Sequence, residues 1–319
     1  KVGYSFTPNH TRLLVAMGQC EKLVVGGYSL LPIIPKEKYN LLKDGKPVAI
    51  LDVVVAKCGS EVSTLFAQKH LDVSLASITA IISGIDKDVP IKIVAPVVLV
   101  SGGLVVGPDS GVNNWAEFIE YIKSAGEPVK IGYHSPTSAP LIITENALRS
   151  EGLKVSRNPN DLEAQVIMVD LKETSNMLPA LISKQVEAVT GPAPFPQTAV
   201  VKKSGKFITE LRDMPPAGRW TDYPCCVVAA SDELIAAKPD ILKDFVAFIT
   251  AANAWSDEHK EEAGIIAAKW LGLSEEVGRE LKQTFLSAFT ENWKEAAAGH
   301  LEVLDTTGEF NGNLTDKTV

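Results

Sequence analysis

Short runs rich in β-branched residues alternate along this chain with segments whose apolar residues recur every three or four positions. Val48–Ala56, Ile91–Val100 and Val129–Tyr133 are nearly continuous in apolar character, which is typical of strands covered on both faces. Trp115–Ser124 and the stretch from Ala139 to Ser150 have the spacing of helices. This alternation predicts an α/β fold whose sheets are mostly parallel.

The length and two flexible breaks predict two lobes. A chain of 319 residues is long enough for one large domain or two medium ones. Small residues at Ser101–Gly103 interrupt a long strand, and Met214–Gly218 is rich in Pro and Gly. We place the crossovers there, so that lobe I comprises 1–102 plus 214–319 and lobe II is the inserted segment 103–213. The C-terminal part is predicted to add three helices to lobe I: Lys238–Asp257, His259–Trp270 and Glu276–Trp293.

Composition excludes several classes of partner. The net charge is −8 and no long run of Lys or Arg occurs, which argues against nucleic acid and anionic membrane surfaces. No apolar run reaches the ~18 residues of a membrane helix. The chain opens at Lys1 without an initiator Met, which we interpret as a mature chain whose signal peptide has been removed. The four cysteines match neither a zinc nor a CxxC pattern and are expected to be small buried side chains.

The residues that follow the predicted strands are rich in hydroxyls and amides and poor in charge. Ligands of open α/β sheets bind beyond the carboxyl ends of the strands, so these residues are the candidate ligand contacts. They are Thr7, Asn9, His10, Ser77, Ser101, Gly102, His134, Ser135, Thr137, Ser138, Pro192 and Ala193, with Tyr223 just before a returning strand. No Arg or Lys occupies these positions, which argues against a ligand held by a salt bridge, although neutral donors can still hold a monoanion.

Two features of this set have both a functional and a structural interpretation. Ser135–Ser138 precedes a helix, so its backbone N–H groups either bind an anion or are closed by an ordinary Ser/Thr cap. His10 and His134 either act on a ligand or are hydrogen-bonded structural residues. The motifs of common nucleophile, phosphate-loop, zinc and dinucleotide sites are absent from the sequence. We therefore predict no catalytic residue, no metal and no cofactor.

Several segments together resemble the solute-binding proteins of ABC importers for nitrate, sulfonates, taurine and thiamine-pyrimidine precursors. Their order and spacing over nearly the whole chain carry the resemblance. The segments are Gly3-Tyr4 with Asn9-His10, Leu71-Asp72-Val73 with Ala76-Ser77, Ile93–Val100 with Ser101-Gly102, Lys130–Tyr133 with Ser135–Ser138, Leu178–Phe195, and Tyr223–Val228 with Ser231 and Pro239.

The resemblance implies a type II periplasmic-binding-protein fold, with two α/β lobes and a ligand cleft between them. It implies an exported protein, periplasmic or lipid-anchored, that captures a small-molecule solute by lobe closure and delivers it to a membrane permease; we expect a monomer. The alternatives are an enzyme on the same fold, related to pyrimidine-precursor synthases, and a ligand-sensing module. The segment 20–46 departs from the family, and we expect an added hairpin or loop there.

Overall fold

The computed structural model describes residues 1–57, 59–136, 138–281 and 283–306. The strands are β1 (Val2–Ser5), β2 (Tyr28–Ile34), β3 (Lys38–Lys43), β4 (Lys46–Ala56), β5 (Val73–Ser77), β6 (Ile91–Leu99), β7 (Gly102–Val106), β8 (Val129–Tyr133), β9 (Val155–Ser156), β10 (Val166–Asp170), β11 (Ala188–Pro192), β12 (Lys206–Glu210) and β13 (Pro224–Ser231). The α-helices are α1 (Thr11–Gln19), α2 (Gly59–Ala67), α3 (Ile78–Asp86), α4 (Trp115–Ser124), α5 (Ala139–Ser150), α6 (Met177–Ile182), α7 (Phe195–Val201), α8 (Asp232–Ala237), α9 (Pro239–Glu258), α10 (Lys260–Trp270), α11 (Glu275–Arg279) and α12 (Glu291–Thr306).

The chain forms two compact units. One consists of Lys1–Leu99 and the chain from Pro224 onward, and the other is Val100–Tyr223. The first boundary falls at the end of β6 and the second at the start of β13. From the sequence we placed the lobe boundaries after residues 102 and 213. That the polypeptide crosses between lobes at these two points stays a prediction.

The first unit is built on a seven-stranded mixed sheet of order β2-β3-β4-β1-β5-β13-β6. β1 is parallel to both β4 and β5, whereas β13 runs antiparallel between β5 and β6. One core cluster joins buried residues of α1 and α9, such as Leu14 and Phe248, to the sheet, and another joins Ile81 of α3 and Trp293 of α12 to it. Burying one such side chain stabilises the fold by roughly 1.5–3 kcal/mol.

An antiparallel meander of β2, β3 and β4 forms one end of this sheet. β2 pairs with β3, and β3 pairs with β4. Asp44 and Gly45 connect β3 to β4 with φ of 48° and 74°, the two positive values of a type I′ turn. We expected a hairpin or loop in the segment 20–46, and β2 and β3 form a hairpin there.

The second unit is built on a six-stranded sheet of order β12-β7-β11-β8-β10-β9. β8 is parallel to β10 and β11, while β7 runs antiparallel between β11 and β12. Buried residues of α6 and α7, including Met177 and Phe195, form a core cluster with Val105 and Val189 of the sheet. The α/β architecture predicted from the alternation of strands and helices is therefore present in both units.

One predicted helix is wrong. α9 and α10 confirm the first two C-terminal helices, but Glu276–Trp293 is helical only at its ends, in α11 and α12. Between them the chain pairs with β6: Leu99 N donates to the carbonyl of Thr284, and Leu286 N donates to the carbonyl of Val97. These tertiary hydrogen bonds outweigh the local helical pattern. None of the helices in the described ranges combines the length and hydropathy needed to cross a bilayer.

Candidate functional site

In the first unit, the predicted contact residues lie at one edge of the sheet. β1 and β5 are parallel, so the Thr7–His10 turn after β1 and Ser77, the last residue of β5, lie at the same edge. β13 is antiparallel to β5, with Cys226 opposite Ser77. The start of β13, which includes Cys225, therefore reaches the same edge.

The Thr7–His10 turn is fixed by its own hydrogen bonds. Thr7 Oγ1 accepts from Asn9 N at 3.3 Å, and His10 Nδ1 accepts from Ser5 N at 2.9 Å. His10 is 2% exposed, and its burial, reinforced by the charge of Arg12, lowers its pKa to about 3. A neutral ring whose Nδ1 accepts carries its proton on Nε2. His10 is therefore a neutral hydrogen-bond donor at pH 7.

A chain of buried amides lies against this turn. Gln283 Nε2 donates to Asn9 Oδ1 at 2.8 Å, and Asn9 Nδ2 donates to Cys225 Sγ at 3.2 Å. Thr11 Oγ1 donates to Gln283 Oε1 at 3.0 Å. The oxygen of the Asn9 amide is thus occupied from within the fold. Sequence reasoning named Asn9 but missed Gln283 and Cys225, because no local pattern links residues so far apart in the chain.

In the second unit, four predicted residues come together beside β11. β7 and β11 are antiparallel, with Gly102 opposite Pro192. The N–H of Ala193 donates to the carbonyl of Ser101 at 3.4 Å. β8 and β11 are parallel, so the residues after β8, which begin at His134, reach the same edge.

Tyr223 lies next to this group. Its carbonyl accepts from Val100 N at 2.8 Å, and its ring packs edge-on against Trp220 with 5.2 Å between centroids. The side chain is 3% exposed. Tyr223 is therefore a packed residue of the second unit beside Ser101.

The segment after β8 contains an unsatisfied polar atom. Nδ1 of His134 is buried and has no hydrogen-bond partner among the described residues. Burial lowers the pKa of His134 to about 4, with Asp170 acting in the opposite direction. Ser138 donates both its N–H and its hydroxyl to the carbonyl of Ser135. Thr137, which we also predicted as a contact, lies outside the described residues.

The helices that begin at the two sheet edges start without a side-chain cap, a property that they share with α1, α6, α7, α9 and α10 but not with α4, α8 and α11. Asn114, Ser231 and Ser274 accept a backbone N–H in the first turn of α4, α8 and α11. Ser77 and Ser138 precede α3 and α5 and make no such capping bond. First-turn N–H groups without a cap are suited to bind an anion, and the helix dipole adds to the attraction.

The described residues contain no group of three or more His, Cys, Asp or Glu arranged to hold a metal ion. Cys20, Cys225 and Cys226 are free thiols, and Cys58 lies outside the described ranges. The predicted absence of a metal and a cofactor stays a prediction.

We expect the protein to lose stability in mild acid. Burial lowers the pKa of His10 to about 3 and those of His134 and His300 to about 4, so the unfolded chain binds more protons below its His pKa of about 6.5. The free energy of unfolding then falls as the pH drops from 6.5 toward 4. In His300→Gln, whose amide can still donate to the carbonyl of Pro224, the loss between pH 7 and pH 4 should be smaller by about 3 kcal/mol. Urea unfolding at both pH values measures this, and equal losses in the two proteins would contradict it.

Comparisons with known proteins agree with this architecture. The alkanesulfonate-binding protein SsuA from Xanthomonas axonopodis pv. citri, solved with bound MOPS, superposes with a TM-score of 0.66 at 10% identity, covering 98% of this chain and 94% of SsuA. SsuA from Escherichia coli gives 0.68 at 12% identity, covering 96% and 86%. The nitrate-binding protein NrtA from Synechocystis PCC 6803 gives 0.66 at 16% identity, covering 100% and 83%.

The chain therefore has the fold of the periplasmic binding proteins, and the resemblance to solute-binding proteins of the nitrate and sulfonate type is confirmed. The model of the NMT1-like family matches residues 25–272, which is most of the chain, so the protein belongs to the NMT1-like family. No curated protein matches the sequence.

Proposed function

We propose that this protein is the extracytoplasmic solute-binding component of an ABC importer, and that its solute is a small anion or a polar aromatic molecule. The observation that carries the proposal is the uncapped start of α3 and α5, each at the edge where the strands of its sheet end. The family and the structural neighbours support it, since SsuA and NrtA are named as binding proteins for sulfonates and nitrate.

Hydrogen-bond donors dominate the chemistry of the proposed contacts. First-turn N–H groups donate, and neutral His10 carries its proton on Nε2. Acceptor atoms such as sulfonate, nitrate or carboxylate oxygens are the complement of donors. These donors are uncharged, so a monoanion suits them better than a dianion, which would need more positive charge nearby.

The partner, location and oligomeric state that we propose are those expected of a solute-binding component. A membrane permease would be the partner, and the protein would act in the periplasm or on a lipid anchor as a monomer. That it is not an enzyme, and that it captures its solute by lobe closure, stay predictions.

A thermal-shift screen tests the function. The compounds are nitrate, bicarbonate, alkyl and aryl sulfonates, aromatic carboxylates and pyrimidines. A ligand at a hundred times its Kd adds about 2.7 kcal/mol, and we expect a rise of roughly 4 °C in Tm for a chain of this size. Chemical turnover of the stabilising compound by the purified protein would favour the enzyme alternative instead. If no class of compound raises Tm, the proposed solutes are wrong.

Two single variants, one at a serine and one at an asparagine, then locate the site. Ser138→Ala should weaken binding of the stabilising compound by up to about tenfold, because it removes the hydrogen bond of about 1.4 kcal/mol from Ser138 to the carbonyl of Ser135 that fixes the turn before α5. Asn114→Ala is the matched control in the same unit, because Asn114 caps α4; it should lower stability by about 1 kcal/mol and leave affinity unchanged. Calorimetric titration measures both, and unchanged affinity in Ser138→Ala would remove this residue from the site.

A further inference from the structure

Arg12 is a fully buried positive charge without a carboxylate. It lies in the first turn of α1 and is 0% exposed. Its Nη2 donates to the carbonyl of Asn9 at 2.9 Å, while Nε and Nη1 are buried with no hydrogen-bond partner. No ion pair joins Arg12 to an acidic residue among the described parts of the chain.

The fold maintains this charge at a cost. Burying an unpaired ion is unfavourable even after the surrounding structure relaxes. Burial lowers the pKa of Arg12 to about 9, with the thiols of Cys226 and Cys225 acting in the opposite direction, so the guanidinium stays charged at pH 7. It stacks over the ring of Phe285 at 4.8 Å, a contact that recovers only part of the cost. A charge retained under these conditions is the kind of local conflict that marks a functional site.

The position of Arg12 relates it to the proposed site. Its hydrogen-bond acceptor is the backbone of Asn9, a proposed ligand contact. Asn9 is held in turn by Gln283 and donates to Cys225, the partly exposed residue at the start of β13. The guanidinium therefore contacts the backbone of the turn that follows β1.

We propose that Arg12 is the built-in counter-charge of the site and makes it select a monoanion over a neutral molecule of the same shape. The inference rests on the proposed function. Arg12 is a positioning residue, because its guanidinium is covered and acts through space and through Asn9. An anion at the edge gains Coulomb attraction from a charge that little water screens, whereas a neutral analogue does not.

The test compares matched pairs of probes on the full chain: butanesulfonate with butanesulfonamide, and benzoate with benzamide. We expect the wild type to bind an anion more tightly than its amide. Arg12→Met should bind that anion about tenfold more weakly and the amide equally well, and Arg12→Lys should retain most of the preference. Arg12→Gln is the second uncharged variant if the Met variant does not fold. A purely structural role would weaken both members of a pair alike.

Calorimetry separates the outcomes. If the wild type binds an anion and the uncharged variant binds it equally tightly, this inference fails and the proposed function stands. An equal loss for the anion and the amide also overturns the inference. If the wild type binds none of the four probes and no compound of the earlier screen, both fail together. Arg12→Met should also unfold at a temperature no lower than the wild type, since it removes an unpaired buried charge.

Discussion

Replacement of Gly102 by alanine is expected to lower the free energy of unfolding by at least about 3 kcal/mol. Gly102 has φ of 116°, outside the range that side chains ordinarily allow. An added Cβ would lie 2.2 Å from the carbonyl oxygen of Gly191 and 2.7 Å from Cα of Pro192. Both are backbone atoms of the paired strand β11, so neither can rotate away. The strands would have to separate, and β7 is central to the pairing of β11 and β12.

Gly107 provides the matched control just beyond the other end of β7. A Cβ there meets no atom within 4 Å, so Gly107→Ala should be neutral or stabilise by up to about 1 kcal/mol. Urea unfolding followed by circular dichroism measures both variants. Equal midpoints for Gly102→Ala and the wild type would show that the close approach of β7 and β11 is wrong.

Local patterns were sufficient for much of the second unit. The predicted bounds of β8, α4 and α5 are those of the structure, because a β-branched run or a regular apolar spacing dominates each segment. Gly102 was interpreted from sequence as a flexible break. Its close packing against β11 cannot be predicted from the local sequence, because the contact joins residues about ninety positions apart.

The meander could have been predicted in more detail. Asp44-Gly45 is a strong two-residue hairpin signal between alternating strands, and the structure has the expected positive φ at both residues. The wrong helix between Glu276 and Trp293 had no such local warning. Its centre is decided by pairing with β6, a long-range contact.

Some residues of the candidate site could be predicted from the sequence, whereas others depend on long-range contacts. Strand ends place Asn9, Ser77 and Ser138 at sheet edges, and that placement follows from topology rules alone. Arg12 and Gln283 were missed for a physical reason: an Arg within an apolar helix and a Gln in a supposed helix give no sign of meeting. Their joint contact with Asn9 depends on the non-helical path of the chain between α11 and α12.

Replacement of Arg157 by leucine is expected to lower the free energy of unfolding by about 2–3 kcal/mol. Arg157 binds both carboxylate oxygens of Glu145 in α5, at 2.7 and 2.8 Å. The Glu145 side chain is 7% exposed and that of Arg157 is 32% exposed. Loss of Arg157 leaves a buried carboxylate unpaired. The partial exposure of Arg157 sets the effect below the 3–5 kcal/mol typical of fully buried pairs.

The double variant Glu145→Leu with Arg157→Leu should recover most of this loss, because the cost comes from the stranded carboxylate rather than from the missing attraction. A double-mutant cycle in urea measures it. Lys154 and Glu163 form an ion pair with side chains that are 65% and 81% exposed, so Lys154→Ala should change stability by less than about 0.5 kcal/mol. If the double variant is as unstable as Arg157→Leu, then packing of the Arg157 stem, not the charge of Glu145, holds α5 to the segment that follows β9. If it recovers, the loss in Arg157→Leu comes from the unpaired carboxylate of Glu145 in α5, one of the two helices whose uncapped starts carry the proposed site.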